Sequence, residues 1–343
     1  MKETSEVSKA SAMYNAAHTY KSGGFKGFAA TLSKEQLEAV RNDPNVDYVE
    51  HDQQINMYEY LTQEDAPWGL ARTSHAAKGA DTYVYDDSAG EGTCVYMIDT
   101  GINIDHPDFE GRAEFLYNFT DGKDTDTAGH GTWTSGLVAS KTYGVAKKSK
   151  VLALKVFGDD GTAQSSSVIA AMEYVIVDSY TRNCPSGYVA NLSLGGSYSR
   201  TSNHAAEAMV HAGVFVAVAA GNSNVDAADK SPASAPLACT VGATDQDDAR
   251  ASFSNYGEIV DVWAPGVDLE STSYKGGNTT ASGTSGSSPI VAGLGAYLMA
   301  LDGTRGDRVC DRIKKLSIKD ALSDIPKGSF NQLANNGAPE KTE

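Results

Sequence analysis

The chain has 343 residues, with 28 Lys and Arg against 44 Asp and Glu, a formal net charge of −16. So acidic a composition argues against general nucleic-acid binding and against adhesion to anionic membranes, both of which need clustered cations. Hydrophobic residues make up 41%, enough for a real core, and the longest uncharged apolar stretch near the C-terminus, Ile290 to Leu301, is short of a membrane span, which takes roughly 20 apolar residues.

Met1 to Gly24 contains no apolar core of a secretory leader, so either the protein is cytosolic or its precursor begins upstream of Met1. Residues 1–60 carry no Cys and no Trp and read as a small α+β unit. Phe25 to Leu32 alternates like a strand, Ser33 is an N-cap, and Lys34 to Arg41 is a short helix. Asn42-Asp43-Pro44-Asn45 is a turn cluster, and Val46 to Ile55 reads as another strand. Residues 56–66 form a polar, exposed connector open to proteolysis. From Pro67 onward the texture changes. Apolar strands are expected at Thr93 to Ile98, Val151 to Phe157, Tyr188 to Leu194, Val214 to Ala220 and Cys239 to Ala243. Helices are expected at Gln164 to Arg182, Thr201 to Ala212 and Ser285 to Leu301, and the residues after His130 (TWTSGLVAS) look helical. Continuous apolar strands separated by amphipathic helices give a mainly parallel sheet covered on both faces, an α/β fold.

Such folds place their sites at the carboxyl ends of strands. Four polar residues interrupt the pattern there. Asp99 closes the strand ending VYMI; an Asp in that place also serves as an ordinary turn cap. His130 sits between two glycines at a helix start, where the dipole lowers an imidazole pKa. Asn222 follows the strand VFVAV and has an amide able to donate to a developing oxyanion. Ser285 opens a helix, a position serine also takes as a plain N-cap, with Pro289 close behind. Asp, then His, then Ser is the chain order of one of the convergent catalytic triads, and no GxSxG elbow surrounds Ser285. Neither GxGxxG nor a P-loop is present, which ranks a nucleotide-binding reading last. The four cysteines, Cys94, Cys184, Cys239 and Cys310, include no CxxC pair. They permit two disulfides in any of three pairings, or four free thiols.

At these residues the chain resembles the subtilisin-like serine proteases, in their fungal proteinase K-like branch. The matching stretches are VYMIDTGINIDHPDF (95–109), GHGT (129–132), YGVAKKSKVLALKV (143–156), NLSLGG (191–196), VAVAAGN (216–222), SPASAP (231–236), SFSNYGEIVDVWAPG (252–266) and SGTS (282–285). GGFKGFAATLS and DPNVDYVE in residues 25–58 resemble the inhibitory propeptide of that family. The resemblance implies a subtilisin-like three-layer sandwich over 61–343, a small ferredoxin-like α+β propeptide over 1–60, and cleavage near 58–61. It implies Ser285 as nucleophile, His130 as general base and then acid, Asp99 as its orienter, and Asn222 with the Ser285 N–H as oxyanion hole. Gly161-Thr162-Ala163 and Ser193-Leu194-Gly195-Gly196 would sandwich an extended substrate, and Ala219, Ala220 and Gly221 would line a broad apolar S1 pocket. Cys94 would pair with Cys184 and Cys239 with Cys310, a pattern suited to secretion. The Pro236 and Ala238 carbonyls and the Asp261 carboxylate would hold a structural Ca²⁺, with no catalytic cofactor. Asn118-Phe-Thr120 and Asn278-Thr-Thr280 are glycosylation sequons. The expected product is a secreted, monomeric, broad-specificity endopeptidase acting on polypeptides, with its own propeptide as intramolecular inhibitor.

Four departures from the family pattern carry expectations of their own. Thr134 stands where many relatives have a free Cys, and GHGTH reads GHGTW, with Trp133 last. GTSMA(T/S)PHVAG reads GTSGSSPIVAG, so Gly286 replaces a packing Met and Ile290 replaces a His. Gly286 is expected to leave a gap beside the nucleophile and loosen the helix start. The propeptide's first strand and the leader are expected upstream of Met1. The competing reading is an impaired pseudoprotease that binds peptides without cleaving them.

Overall fold

The computed structural model describes residues 7–52 and 60–339, and the chain divides into two compact units, residues 1–57 and 58–343. The first contains α1 (Val7–Met13), β1 (His18–Tyr20), β2 (Gly27–Ala29) and α2 (Lys34–Arg41). Helix α2 begins at a capping box. The Gln36 N–H donates to Ser33 Oγ at 3.2 Å and the Ser33 N–H donates back to Gln36 Oε1 at 2.8 Å, which satisfies two otherwise orphaned donors. The strand expected over 25–32 shortens to β2, paired antiparallel with β1. The second expected strand does not form over 46–52, and 53–55 lie outside the described residues. A strand needs a neighbour to take its backbone hydrogen bonds, and among the described residues nothing pairs with 46–52.

The second unit opens with β3 (Tyr60–Gln63), α3 (Trp68–Ala71) and β4 (Tyr83–Asp86), followed by β5 (Thr93–Asp99), β6 (Ala113–Asn118), α4 (His130–Ala139), β7 (Lys150–Lys155) and α5 (Ser165–Ser179). Next come β8 (Gly187–Leu192), β9 (Gly196–Ser197), α6 (Arg200–His211), β10 (Val214–Ala219), β11 (Lys230–Ser231), β12 (Cys239–Thr244) and β13 (Val262–Pro265). The chain closes with β14 (Leu269–Thr272), β15 (Asn278–Ala281), α7 (Thr284–Asp302), α8 (Arg308–Leu316), β16 (Ile318–Lys319) and β17 (Gln332–Leu333).

Nine strands form the main sheet in the order β16-β17-β13-β12-β10-β8-β5-β7-β6. Every neighbouring pair is parallel except β16 and β17. Alternation along β5 divides the core into two layers. Val95 and Met97 pack with residues of α4 and α7, while Cys94, Tyr96 and Ile98 pack with α5 and α6. Both faces are therefore covered, which is why the central strands are apolar at every position. Disulfides join Cys94 to Cys184 and Cys239 to Cys310, closing loops of 90 and 71 residues in sequence separation. Parallel strands run their carboxyl ends to one edge, so Asp99, the segment after β8 and the segment after β10 are delivered there together.

Candidate active site

Asp99 is the last residue of β5 and is fully buried. Its Oδ1 accepts the Thr100 N–H at 2.7 Å and lies 2.7 Å from His130 Nδ1. That contact leaves Nε2 of His130 as the nitrogen open to a substrate or nucleophile. Burial pulls the His130 pKa down, but the charge and hydrogen bond of Asp99, with the charge of Asp126, outweigh it and leave the imidazole above its ordinary 6.5. Thr134 Oγ1 lies 3.3 Å from Asp99 Oδ2 and 3.2 Å from the Gly131 carbonyl, so its one proton is shared between them. The hydroxyl puts a weak donor on the second carboxylate oxygen, a contact the sequence comparison alone did not anticipate.

The loop that presents His130 is built on Asp126, a buried carboxylate missed in reading the sequence. Its Oδ1 accepts the Thr100 hydroxyl (2.8 Å) and the N–H groups of Ala128 (3.0 Å) and Gly129 (2.7 Å). Its Oδ2 accepts the Thr132 N–H (2.8 Å) and hydroxyl (2.6 Å). Gly129, with φ +94°, then turns the chain into α4. An Asp four residues before the His, where a loop must feed a helix N-terminus, was the available signal.

Ser285 is the second residue of α7. Pro289 occupies the sixth position, beyond the first turn. Having no N–H, it leaves the Ser285 carbonyl without its intrahelical donor. Ser193 Oγ donates to that carbonyl at 2.9 Å. Asn191 Nδ2 donates to Ser193 Oγ (2.9 Å) and Ser288 Oγ to Asn191 Oδ1 (2.7 Å), so a buried relay ties β8 to the first turns of α7. Among the described residues Ser285 Oγ makes its hydrogen bond to the Ser193 carbonyl at 3.3 Å.

Asn222 Oδ1 accepts the Thr284 N–H and hydroxyl, both at 2.8 Å. Its Nδ2 therefore turns the other way. A point one Cβ bond out from Gly283 lies 3.2 Å from Asn222 Nδ2 and 3.6 Å from the Ser285 nitrogen. Two nitrogens thus border space that any side chain at 283 would fill, at the positive end of a 19-residue helix. Buried Asn255 steadies the Asn222 loop. Its Nδ2 donates to the Ala220 carbonyl (2.7 Å) and its Oδ1 accepts the N–H groups of Ser223 (3.0 Å) and Val225 (3.1 Å).

Beside Ser285 opens a cavity of about 370 Å³ lined in part by Ser193, Leu194, Gly195, Gly196, Ala219, Ala220 and Gly221. Gly161, Thr162 and Ala163 lie in the loop after β7; among the described residues they do not line it. Gly161 takes φ +75° and Asp160 holds the Thr162 N–H at 3.0 Å.

The gap expected at Gly286 is absent. The Trp133 indole lies buried against it: a Cβ on Gly286 would meet Leu269 Cδ1 at 2.8 Å and Trp133 Cη2 at 2.8 Å. Trp133 Nε1 donates to the Leu269 carbonyl at 3.0 Å, tying the two walls together. The same indole sits 6.1 Å, centroid to centroid, from the His130 ring. Ile290 is buried in the core.

Asp261 was expected to bind Ca²⁺. Its Oδ2 accepts the Thr240 N–H at 2.9 Å and its Oδ1 lies 3.3 Å from Lys314 Nζ. A protein ammonium already supplies the cation, so with Pro236 and Ala238 the residues as arranged do not fit a bound Ca²⁺ until Lys314 turns away. Of the sequons, Asn118 Nδ2 is committed to the Gly122 carbonyl (2.8 Å) and Asp124 (3.1 Å), and Asn278, exposed on β15, donates its Nδ2 to Glu270 Oε1.

The Subtilase family model matches residues 90–335 and the Peptidase inhibitor I9 model matches residues 1–58. A cuticle-degrading protease of Metarhizium anisopliae is 52% identical over 315 residues, covering 92% of this chain and 81% of that protein. Proteinase R of Parengyodontium album is 48% identical over 319 residues, covering 93% and 81%. The crystal structure of a cold adapted subtilisin-like serine proteinase superposes with a TM-score of 0.75 at 36% identity, over 80% of this chain and 99% of the other.

Proposed function

The chain belongs to the subtilase family of serine proteases and carries an I9 propeptide, and from that premise we propose a secreted endopeptidase made as a zymogen, acting through an acyl-enzyme on Ser285. The observation that carries the reading is that Asn222 Nδ2 and the Ser285 backbone nitrogen border the same space beside Gly283, next to the Ser285 side chain. In the proposed cycle the Ser285 hydroxyl leaves the Ser193 carbonyl, its proton passes to His130 Nε2, and Oγ adds to the scissile carbonyl. Asp99 orients the imidazole and stabilises the imidazolium. The two donors meet the oxyanion, which they bind more tightly than the ground-state carbonyl. Collapse expels the amine, which takes the proton from His130. Water, deprotonated by the same nitrogen, then releases the acyl group.

Segment 193–196, with 161–163 opposite, would hold the substrate in an extended conformation, and the cavity at Ala219, Ala220 and Gly221 would take apolar and aromatic P1 side chains. Residues 1–60 would act as intramolecular inhibitor until cleavage near 58–61. The enzyme would work as a monomer without a catalytic cofactor; subtilases generally hold structural calcium, and here Asp261 would take one only with Lys314 displaced. Nothing in the comparisons favours a peptide binder that does not cleave.

The test is labelling by a fluorophosphonate probe together with hydrolysis of an aromatic-P1 peptide amide, beside a Ser285→Ala control. Labelling and turnover that both vanish in the control support the reading. A folded protein that neither labels nor turns over refutes it.

A further inference from the structure

Lys230 carries the one charge among the described residues that line the cavity beside Ser285. It lies on β11, where its cross-strand partner is Ser197 of β9, another lining residue. Its neighbour Ser231 is buried and accepts the Ser199 N–H at 2.8 Å through Oγ. Successive side chains on a strand point to opposite faces, so Ser231 turned inward puts Lys230 on the cavity side with Ser197. The side chain is half-buried, and among the described residues its ammonium has neither a hydrogen bond nor an ion pair. Asp226 and Asp229 are near in sequence, but both are exposed and neither lines the cavity. The rest of the wall is small and neutral: glycine, alanine, serine, leucine and asparagine predominate. A half-buried ammonium with no partner among the described residues leaves its charge free to meet a bound anion.

We propose that Lys230 is a specificity-determining residue that adds acidic P1 side chains, glutamate first, to the apolar ones this cleft accepts. The proposal rests on the reading of the cavity as the S1 pocket of an active protease. On that footing the P1 carboxylate meets Lys230 Nζ, and no Asp or Glu is among the described residues that line the cavity.

The experiment uses peptide p-nitroanilides identical except at P1, which is Phe, Gln or Glu, with rates normalised to fluorophosphonate-labelled sites so that unfolded protein does not count. The wild type is expected to show kcat/KM for Glu above that for Gln by roughly tenfold, the scale of one partly desolvated charge pair, with the ratio shrinking as salt is raised. Lys230→Met should bring the ratio to about one and Lys230→Arg should retain it. A wild-type ratio at or below one, or a ratio unchanged in Lys230→Met, overturns the proposal while Phe turnover leaves the protease reading standing. No turnover on any of the three would sink both.

Discussion

Gly286→Met restores the residue of the family pattern and should destabilise this protein. A Cβ alone would stand 2.8 Å from Trp133 Cη2 and 2.8 Å from Leu269 Cδ1, closer than carbon atoms pack. Neither wall yields easily, because the indole N–H is bonded to the Leu269 carbonyl at 3.0 Å and both side chains are buried. Forcing extra methylenes into a filled core costs about 1–3 kcal/mol. Replacing a helical glycine returns up to about 1 kcal/mol. Against the full glycine gain the net loss is at most about 2 kcal/mol, and at about 2–4 °C per kcal/mol for a domain of this class the melting temperature should fall by up to roughly 8 °C. Trp133→His in the same chain should recover most of the loss, with a coupling energy of about 1–3 kcal/mol. Calorimetry in a Ser285→Ala background avoids autolysis. A rise in melting temperature for Gly286→Met alone, or an equal effect of Gly286→Met with and without Trp133→His, would refute the reasoning.

The remaining predictions concern chemistry. Because His130 must be neutral to accept a proton and its pKa is raised above 6.5, the acid limb of kcat/KM should fall at a pH above 6.5. Asp126→Asn, which removes one of the charges raising it, should move the limb down; a limb that does not move contradicts the assignment. The same shift contributes stability that is full below the unfolded pKa and lost as pH rises through the folded one. Asn222→Ala should lower kcat on the order of 10²–10³-fold with KM little changed, and steady-state kinetics with equal losses in binding would argue against an oxyanion role. If Lys314 supplies the cation at Asp261, EDTA should barely change the wild-type melting temperature. Lys314→Ala should then gain a calcium-dependent rise, and a large chelator effect on the wild type would show that the lysine yields to the metal.

The central strands and the helices over 165–179, 200–211 and 284–302 were legible because each is long and apolar or amphipathic enough to carry its own period. The ends differ by a residue or a few, as strand and helix edges do. Helix α1 and strand β1 were not legible. Three exposed residues of β1 show no burial pattern, and the pairing that makes them a strand lies in β2. Helix α8 was not legible because it is only nine residues long, five of them charged, and its buried stripe is just Val309, Cys310 and Ile313. In the site, the four polar residues at strand ends were visible as interruptions of apolar runs. Asp126 and Asn255 were not, because a buried side chain that bonds only backbone and hydroxyl groups looks in sequence like any loop Asp or Asn.

The departures from the family pattern show why single positions mislead. Taken alone, a glycine after Ser285 is a hole and a tryptophan after Thr132 is an obstruction. In three dimensions the indole occupies the volume the missing side chain vacates, and its N–H satisfies a backbone carbonyl on the opposite wall. Two losses at the level of sequence become one packing solution, and the argument for a damaged catalytic centre loses its main support. What is left to distinguish this enzyme's chemistry lies elsewhere. Thr134 places a hydroxyl 3.3 Å from the second oxygen of Asp99, close enough to compete for the carboxylate that polarises His130. Lys230 sets an unpaired charge in the cavity wall. A hydroxyl donating to the carboxylate lowers its basicity toward the imidazole, and so acts on rate. The ammonium acts on the choice of substrate, and the two should therefore separate cleanly in kcat and in the P1 profile.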